Sequence, residues 1–334
     1  MKLSNRWQSR SENSLLTIMH ERHVNDPNIY VSLKQLIALQ HQASGFSFLP
    51  RQPVHSVLSG RHTSKLRGRG LNFEELRHYR IGDDIRTMDW KVSNRTGKPH
   101  VRVYTEERER PVLLLIDQRI SLFFGSRLKM KSVVAAELAA LAAWRVISSG
   151  DRVGALVFND AQVVDIRPRR SRKTVIRILD QTVKFNHALR ADYPEPANDA
   201  QLNVALRAAE RLSGHDALII LISDMHGWDE ETLKRIKRLG RHNDVMAALV
   251  YDELEKTLPT HSRLVLSDGE MQIEVDASKG GLGDRFTRHF SSQVQLLQAE
   301  LSKHGIPVLP VNTYETVVGQ IRRAIGARLS GAKQ

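Results

Sequence analysis

From Pro111 onward the chain alternates short runs of aliphatic and branched residues with longer amphipathic stretches, and no other feature constrains its fold as tightly. Five runs read PVLLLID (111–117), RVGALVF (152–158), DALIILIS (216–223), DVMAALVY (244–251) and IPVLPV (306–311). They are apolar at consecutive positions, so each needs cover on both faces, which a strand inside a helix-flanked parallel sheet receives. The stretches between them predict helices over 129–148, 171–185, 201–212, 230–239, 284–303 and 314–329. Two smaller pieces, 162–166 and the pair 263–266 with 271–275, predict antiparallel additions. Right-handed crossovers between such units give a mostly parallel α/β sheet with helices on both faces, doubly wound and Rossmann-like.

Upstream of this domain, assigned to 111–330, two zones differ in texture. Residues 1–58 are polar and read as an accessory arm with one helix-like patch at 30–42. Residues 59–110 are dense in charge and turn signals and predict a small module of paired charges, with a strand-like piece at 100–104. Within it, Asp83, Asp84 and Asp89 lie among Arg77, Arg80 and Arg86. Equal numbers of guanidiniums and carboxylates predict internal bidentate pairing over metal binding, so the block is read as structural.

Several function classes drop out. The 334 residues contain no cysteine, which excludes a disulfide framework, a thiolate metal site and a cysteine nucleophile, and fits a reducing compartment. No GxxxxGK[ST] loop, complete dinucleotide fingerprint or HExxH motif occurs, and Ser223 lacks the GxSxG elbow of a nucleophile. No enzyme activity and no cofactor are therefore expected. No apolar run reaches the ~20 residues needed to cross a bilayer, so a cytoplasmic protein is expected, meeting membranes only through partners. With 50 Lys and Arg against 37 Asp and Glu, the net charge of +13 favours anionic partners.

In a doubly wound sheet, ligands sit beyond the carboxyl ends of the strands. Those ends carry Asp117, Asn159-Asp160, Ser223-Asp224 and Tyr251-Asp252, an acidic rim suited to a divalent cation. Asp117 with Ser121 four residues on, and Asp224 at a later strand end, resemble the DxSxS loop and second Asp of von Willebrand factor A domains, whose adhesion site holds Mg²⁺. Two positions depart from that pattern. Arg119 replaces the central Ser, and Ala200 stands where a Thr is expected. A guanidinium repels a cation and takes its electrostatic place. The expectation is a degenerate site held by Arg119 with Asp117, Asp224 or both, and Mg²⁺ binding is disfavoured.

The upstream block carries a more specific resemblance. The run from Gly68 to Arg77, then Tyr79-Arg80-Ile81-Gly82-Asp83-Asp84-Ile85-Arg86-Thr87-Met88-Asp89-Trp90-Lys91, then Val101-Arg102 and Glu106-Glu107, resembles the signature of the bacterial domain-of-unknown-function family fifty-eight. Gly150-Asp151-Arg152-Val153-Gly154 agrees with it, and the resemblance spans roughly 60–325. It implies a von Willebrand A-like adaptor without enzymatic activity, partnered by a MoxR-type AAA+ ATPase and by client proteins that it helps to assemble or mature.

The competing reading is nucleic-acid binding. Arg167, Arg169, Arg170, Arg172, Lys173 and Arg177 form one basic cluster, and Lys234, Arg235, Lys237, Arg238 and Arg241 a second. Such clusters can neutralise phosphates. Neither has interleaved aromatics to stack bases, so the first cluster is read as a partner surface for an acidic protein, with nucleic acid disfavoured.

Overall fold

The computed structural model describes residues 26–43, 71–106, 110–190, 196–256, 263–267, 272–276 and 282–331. In chain order the elements are α1 (Leu33–Ala38), β1 (Leu71–His78), α2 (Trp90–Thr96), β2 (His100–Glu106), β3 (Pro111–Asp117), α3 (Lys131–Ser148), β4 (Arg152–Phe158), β5 (Val163–Arg169) and α4 (Arg172–Ala188). They continue with α5 (Ala200–Leu212), β6 (Leu218–Ser223), α6 (Glu230–Leu239), β7 (Asp244–Tyr251), α7 (Glu253–Lys256), β8 (Arg263–Ser267), β9 (Gln272–Asp276), α8 (Leu282–Ser302), β10 (Val308–Asn312) and α9 (Val317–Gly331). Gly68, Gly70 and Glu107 of the signature block lie outside the described residues.

The central sheet has six strands in the order β10-β7-β6-β3-β4-β5. Every neighbouring pair is parallel except β4 with β5, which is antiparallel. This is a doubly wound α/β arrangement with helices on both faces. Chain order reverses at β3, whose residues from Val112 to Asp117 are all buried. On one face Leu113, Leu115, Leu156, Phe158, Ile219 and Leu221 pack against Leu202 and Leu206 of α5 and Ile236 of α6. The alternate residues of β3, Val112, Leu114 and Ile116, turn to the face covered by α3. That helix is rich in Ala and buried over most of its circumference, because it packs on the sheet, α4 and α9 together. No described helix is long and apolar enough to cross a membrane.

The chain divides into two compact units, and the boundary differs from the sequence expectation. Residues 26–43 were assigned to a polar arm, yet they belong with residues 110 onward. Their few apolar side chains explain why: Tyr30, Val31 and Leu36 are buried. The Trp144 indole donates to the Leu36 carbonyl at 3.0 Å, and the Tyr30 hydroxyl donates to the Leu189 carbonyl at 2.8 Å. The helix predicted over 30–42 is shortened to α1, with a 3₁₀ turn at 39–42. Ser32 starts it with a reciprocal capping box with Gln35.

The second unit lies within residues 49–109. β1 and β2 form an antiparallel pair with an irregularity between Phe73 and Glu75. Asp83 accepts both guanidinium nitrogens of Arg77 at 2.7 and 2.8 Å, which holds its carboxyl below the usual range. Arg80 reaches the same carboxylate through its backbone N–H at 2.8 Å. Asp84 caps a 3₁₀ turn by accepting from the Arg86 backbone N–H, and Gly82 turns the chain at φ +106. Asp89 caps α2 and pairs with Arg102 at 2.8 Å. Trp90, at the first position of α2, is exposed.

Candidate functional site

β3 delivers Asp117 to the end of the sheet, and the chain then turns so that Arg119 folds back on it. The Arg119 Nε lies 3.1 Å from both Asp117 carboxylate oxygens, and Nη2 donates to Oδ2 at 2.9 Å. The Arg119 backbone N–H and the Ser223 hydroxyl also donate to Asp117, at 3.0 and 2.7 Å. Arg119 is only 1% exposed, and its guanidinium carbon stands 5.9 Å from the Phe158 ring centre. Its Nη2 donates to the His226 carbonyl at 3.2 Å and lies 3.8 Å from Asp224 Oδ1, while Nη1 lies 3.9 Å from Asp199.

A second cation fills the other half of the rim. Lys131, at the start of α3, places Nζ 3.0 Å from Asp224 Oδ2 and 2.5 Å from Glu255 Oε1, and its side chain is 3% exposed. The remaining rim carboxylates bind loop backbones and hydroxyls. Asp160 accepts from the N–H groups of Ile120 at 2.7 Å and Asn198 at 2.9 Å. Asp252 accepts from the hydroxyls of Ser126 and Thr313, both at 2.5 Å.

The electrostatics follow from burial opposed by pairing. Burial acts to raise the Asp224 carboxyl, but the charges of Lys131 and Arg119 override it and hold the group well below the ordinary carboxylate range. Burial acts to lower Lys131 and Arg119, and their carboxylate partners override it and raise both. At Asp117 burial dominates and pushes the carboxyl upward, against the charge and hydrogen bonds of Arg119. A guanidinium does not deprotonate in proteins, so Arg119 keeps its positive charge against Asp117.

The sequence-predicted rim residues meet unequally. Asp117, Arg119 and Asp224 come together, as the distances above describe. Ser121 has a buried hydroxyl with no hydrogen-bond partner among the described residues, and Ala200 is exposed at the first position of α5. A divalent cation needs the carboxylate oxygens that Arg119 and Lys131 already engage. A dication ~4 Å from one guanidinium meets about 8 kcal/mol of repulsion at an effective dielectric of about 20. The residues present do not fit a metal ion.

Lys131 and Glu255 are absent from the sequence reading. A signal was available: a Lys opens the mostly apolar α3, where the helix dipole disfavours a cation and a nearby anion offsets it.

The basic cluster is also divided. Arg172 stacks on Trp144 at 5.1 Å and donates to Gln40 at 2.8 Å, and Arg170 has its own internal interactions, so neither is a free partner contact as the sequence suggested. Arg167, Arg169, Lys173 and Arg177 instead line a cleft beside β5. On α6, Arg235 pairs with Glu210 and Glu231, Lys234 with Glu230, and Lys237 with Glu300, which makes much of that second cluster a self-neutralised face.

The fold and rim define a doubly wound α/β protein whose strand-end carboxylates are paired with internal cations. The family described as "Protein of unknown function DUF58" matches residues 75–295, and the chain belongs to that family. Uncharacterized proteins of Mycobacterium bovis and Mycobacterium tuberculosis are each 28% identical over 316 residues, covering 92% of both chains. Among solved structures, the conserved hypothetical protein BatB from Bacteroides thetaiotaomicron is 16% identical, with a TM-score of 0.39 over 67% of this chain and all of its own. An aerotolerance-related membrane protein from Bacteroides fragilis is 13% identical, with a TM-score of 0.38 over 66% of this chain and 99% of its own.

Proposed function

We propose that the protein is a non-enzymatic adaptor of the cytoplasm that works with a MoxR-type AAA+ ATPase in the assembly or maturation of client proteins. The observation that carries this reading is the rim itself. Where α/β enzymes present reactive groups, Asp117, Asp224 and Glu255 are engaged by the buried cations Arg119 and Lys131, which hold the strand-end loops in place for contact with another protein. The signature block from Gly82 to Trp90 supports the MoxR partnership through the family resemblance.

The test is recovery of the native protein with its bound partners, repeated in high salt and after nuclease treatment. An ATPase retained through both treatments is the expected result. Loss of every partner on nuclease treatment refutes the adaptor reading in favour of nucleic-acid binding. Measurable ATP turnover by the purified protein, abolished by Asp117→Asn, refutes its non-enzymatic character.

A further inference from the structure

β5 is one edge of the six-stranded sheet, hydrogen-bonded among the described strands to β4 alone. The two strands carry a bulge: Ala155 pairs with Ile166 and Val153 with Arg169, so Arg167 and Pro168 stand opposite the single residue Gly154. In a regular strand Arg169 would share the face of Arg167. The extra residue moves it to the face of buried Ile166, beside α4. Gly154 permits this approach, since a Cβ there would stand 2.5 Å from the Ile166 carbonyl oxygen and 2.6 Å from the Pro168 nitrogen.

The result is a cleft of about 490 Å³, with Arg167 and Arg169 on one side and Lys173, Thr174 and Arg177 of α4 on the other. Among the described residues none of these four cations forms an ion pair, in contrast to Arg77, Arg102, Arg119 and Arg235 elsewhere in the chain. Asp165 is the one carboxylate in the lining, which leaves the cleft with four positive charges against one negative. The N-terminus of the 17-residue α4, capped by Ser171, adds to the same potential.

Resting on the adaptor reading, we infer that this cleft docks an acidic, extended segment of a partner protein. The cations are spread along one strand and the first two turns of one helix, which suits successive carboxylates on an extended chain. Ile166 supplies an apolar floor, and no aromatic side chain lines the cleft to stack a nucleobase. Asp165 also sets a cost on a continuous phosphodiester backbone that a peptide avoids by placing a neutral residue there. Pro168 removes a backbone donor late in β5, so recognition rests on side-chain charge more than on an added strand.

The experiment is fluorescence-anisotropy titration of the full-length protein with a fluorescein-labelled octaglutamate peptide, at low and at physiological salt. Saturable, salt-sensitive binding is expected, weakened ~10-fold or more by Arg169→Glu with Arg177→Glu. The control Arg238→Glu with Arg241→Glu, equal in charge change, should alter it less than about 2-fold. Circular dichroism checks that both variants fold. Absence of saturable binding, or equal weakening in both variants, overturns the inference. So does a single-stranded oligonucleotide that binds more tightly than the peptide and is lost in the same variant. Partner recovery that survives while the peptide fails to bind removes the cleft alone. Peptide binding with no recovered ATPase removes the adaptor reading alone.

Discussion

Replacing Lys131 with Met isolates the second cation of the rim. The side chain is 3% exposed, and its amine serves Asp224 and Glu255 at 3.0 and 2.5 Å. Removing one partner of a buried ion pair leaves an uncompensated charge and costs roughly 3–5 kcal/mol. Here the lower end is expected. Asp224 keeps the His226 N–H at 3.0 Å and Arg119 at 3.8 Å, and the partly exposed Glu255 can recover water. With a urea slope of about 3 kcal/mol per molar, a loss of about 3 kcal/mol moves the unfolding midpoint down by about 1 M. The pH dependence has two limbs. Asp224 is depressed in the fold, so its contribution is present above the ordinary value of 3.8 and fades as pH falls through the lower folded value. Lys131 is raised, so its contribution is present below the ordinary 10.5 and fades as pH rises through the higher folded value. The gap between parent and variant is therefore flat through neutral pH and narrows at both extremes. Adding Asp224→Asn to the variant should cost less than the two changes summed, since the orphaned charge is gone. A midpoint shift under about 0.3 M would place the pair in the class of surface salt bridges and refute the argument.

Two further outcomes follow from the rim and the bulge. Calorimetric titration of the parent with Mg²⁺ or Mn²⁺ should show no saturable heat; Arg119→Ser with Ala200→Thr should remain poor because Lys131 still holds Asp224, and adding Lys131→Met should create a measurable site. Stoichiometric metal in the parent, lost on Asp117→Ala, would refute that reading. Gly154→Ala should destabilise the sheet by about 1–3 kcal/mol in urea unfolding, because its Cβ meets backbone of β5; an unchanged midpoint would mean that the bulge yields freely.

The sheet was legible because its strands are unbroken apolar runs. Residues 111–117, 152–158 and 244–251 form strands over those same bounds. The run predicted from Asp216 begins instead at Leu218, since Asp216 adopts a positive φ of 60° and leaves the extended region. β1 and α2 were not legible. LNFEELRH mixes charge and apolar residues without a period of two, and WKVSNRT has too few apolar positions to mark a helical face. At the rim, strand-end position selected Asp117 and Asp224, and the adhesion-loop resemblance added Arg119. Lys131 and Glu255 come from the start of one helix and from a four-residue turn of another, so only the folded geometry brings them together. The cluster from Arg167 to Arg177 is contiguous in sequence, but a strand bulge and a stacked Trp144 send its members to different tasks.

The tie between the segment around α1 and the helical layer has a consequence for synthesis. Leu36 and Trp144 are separated by 108 residues, and Tyr30 and Leu189 by 159. At ~5–20 residues per second on the ribosome, about 5–20 s pass between the emergence of Leu36 and that of its partner. During that interval the side chains of Tyr30, Val31 and Leu36 have no surface to cover them, so the nascent chain offers chaperones an apolar handle that the finished protein hides.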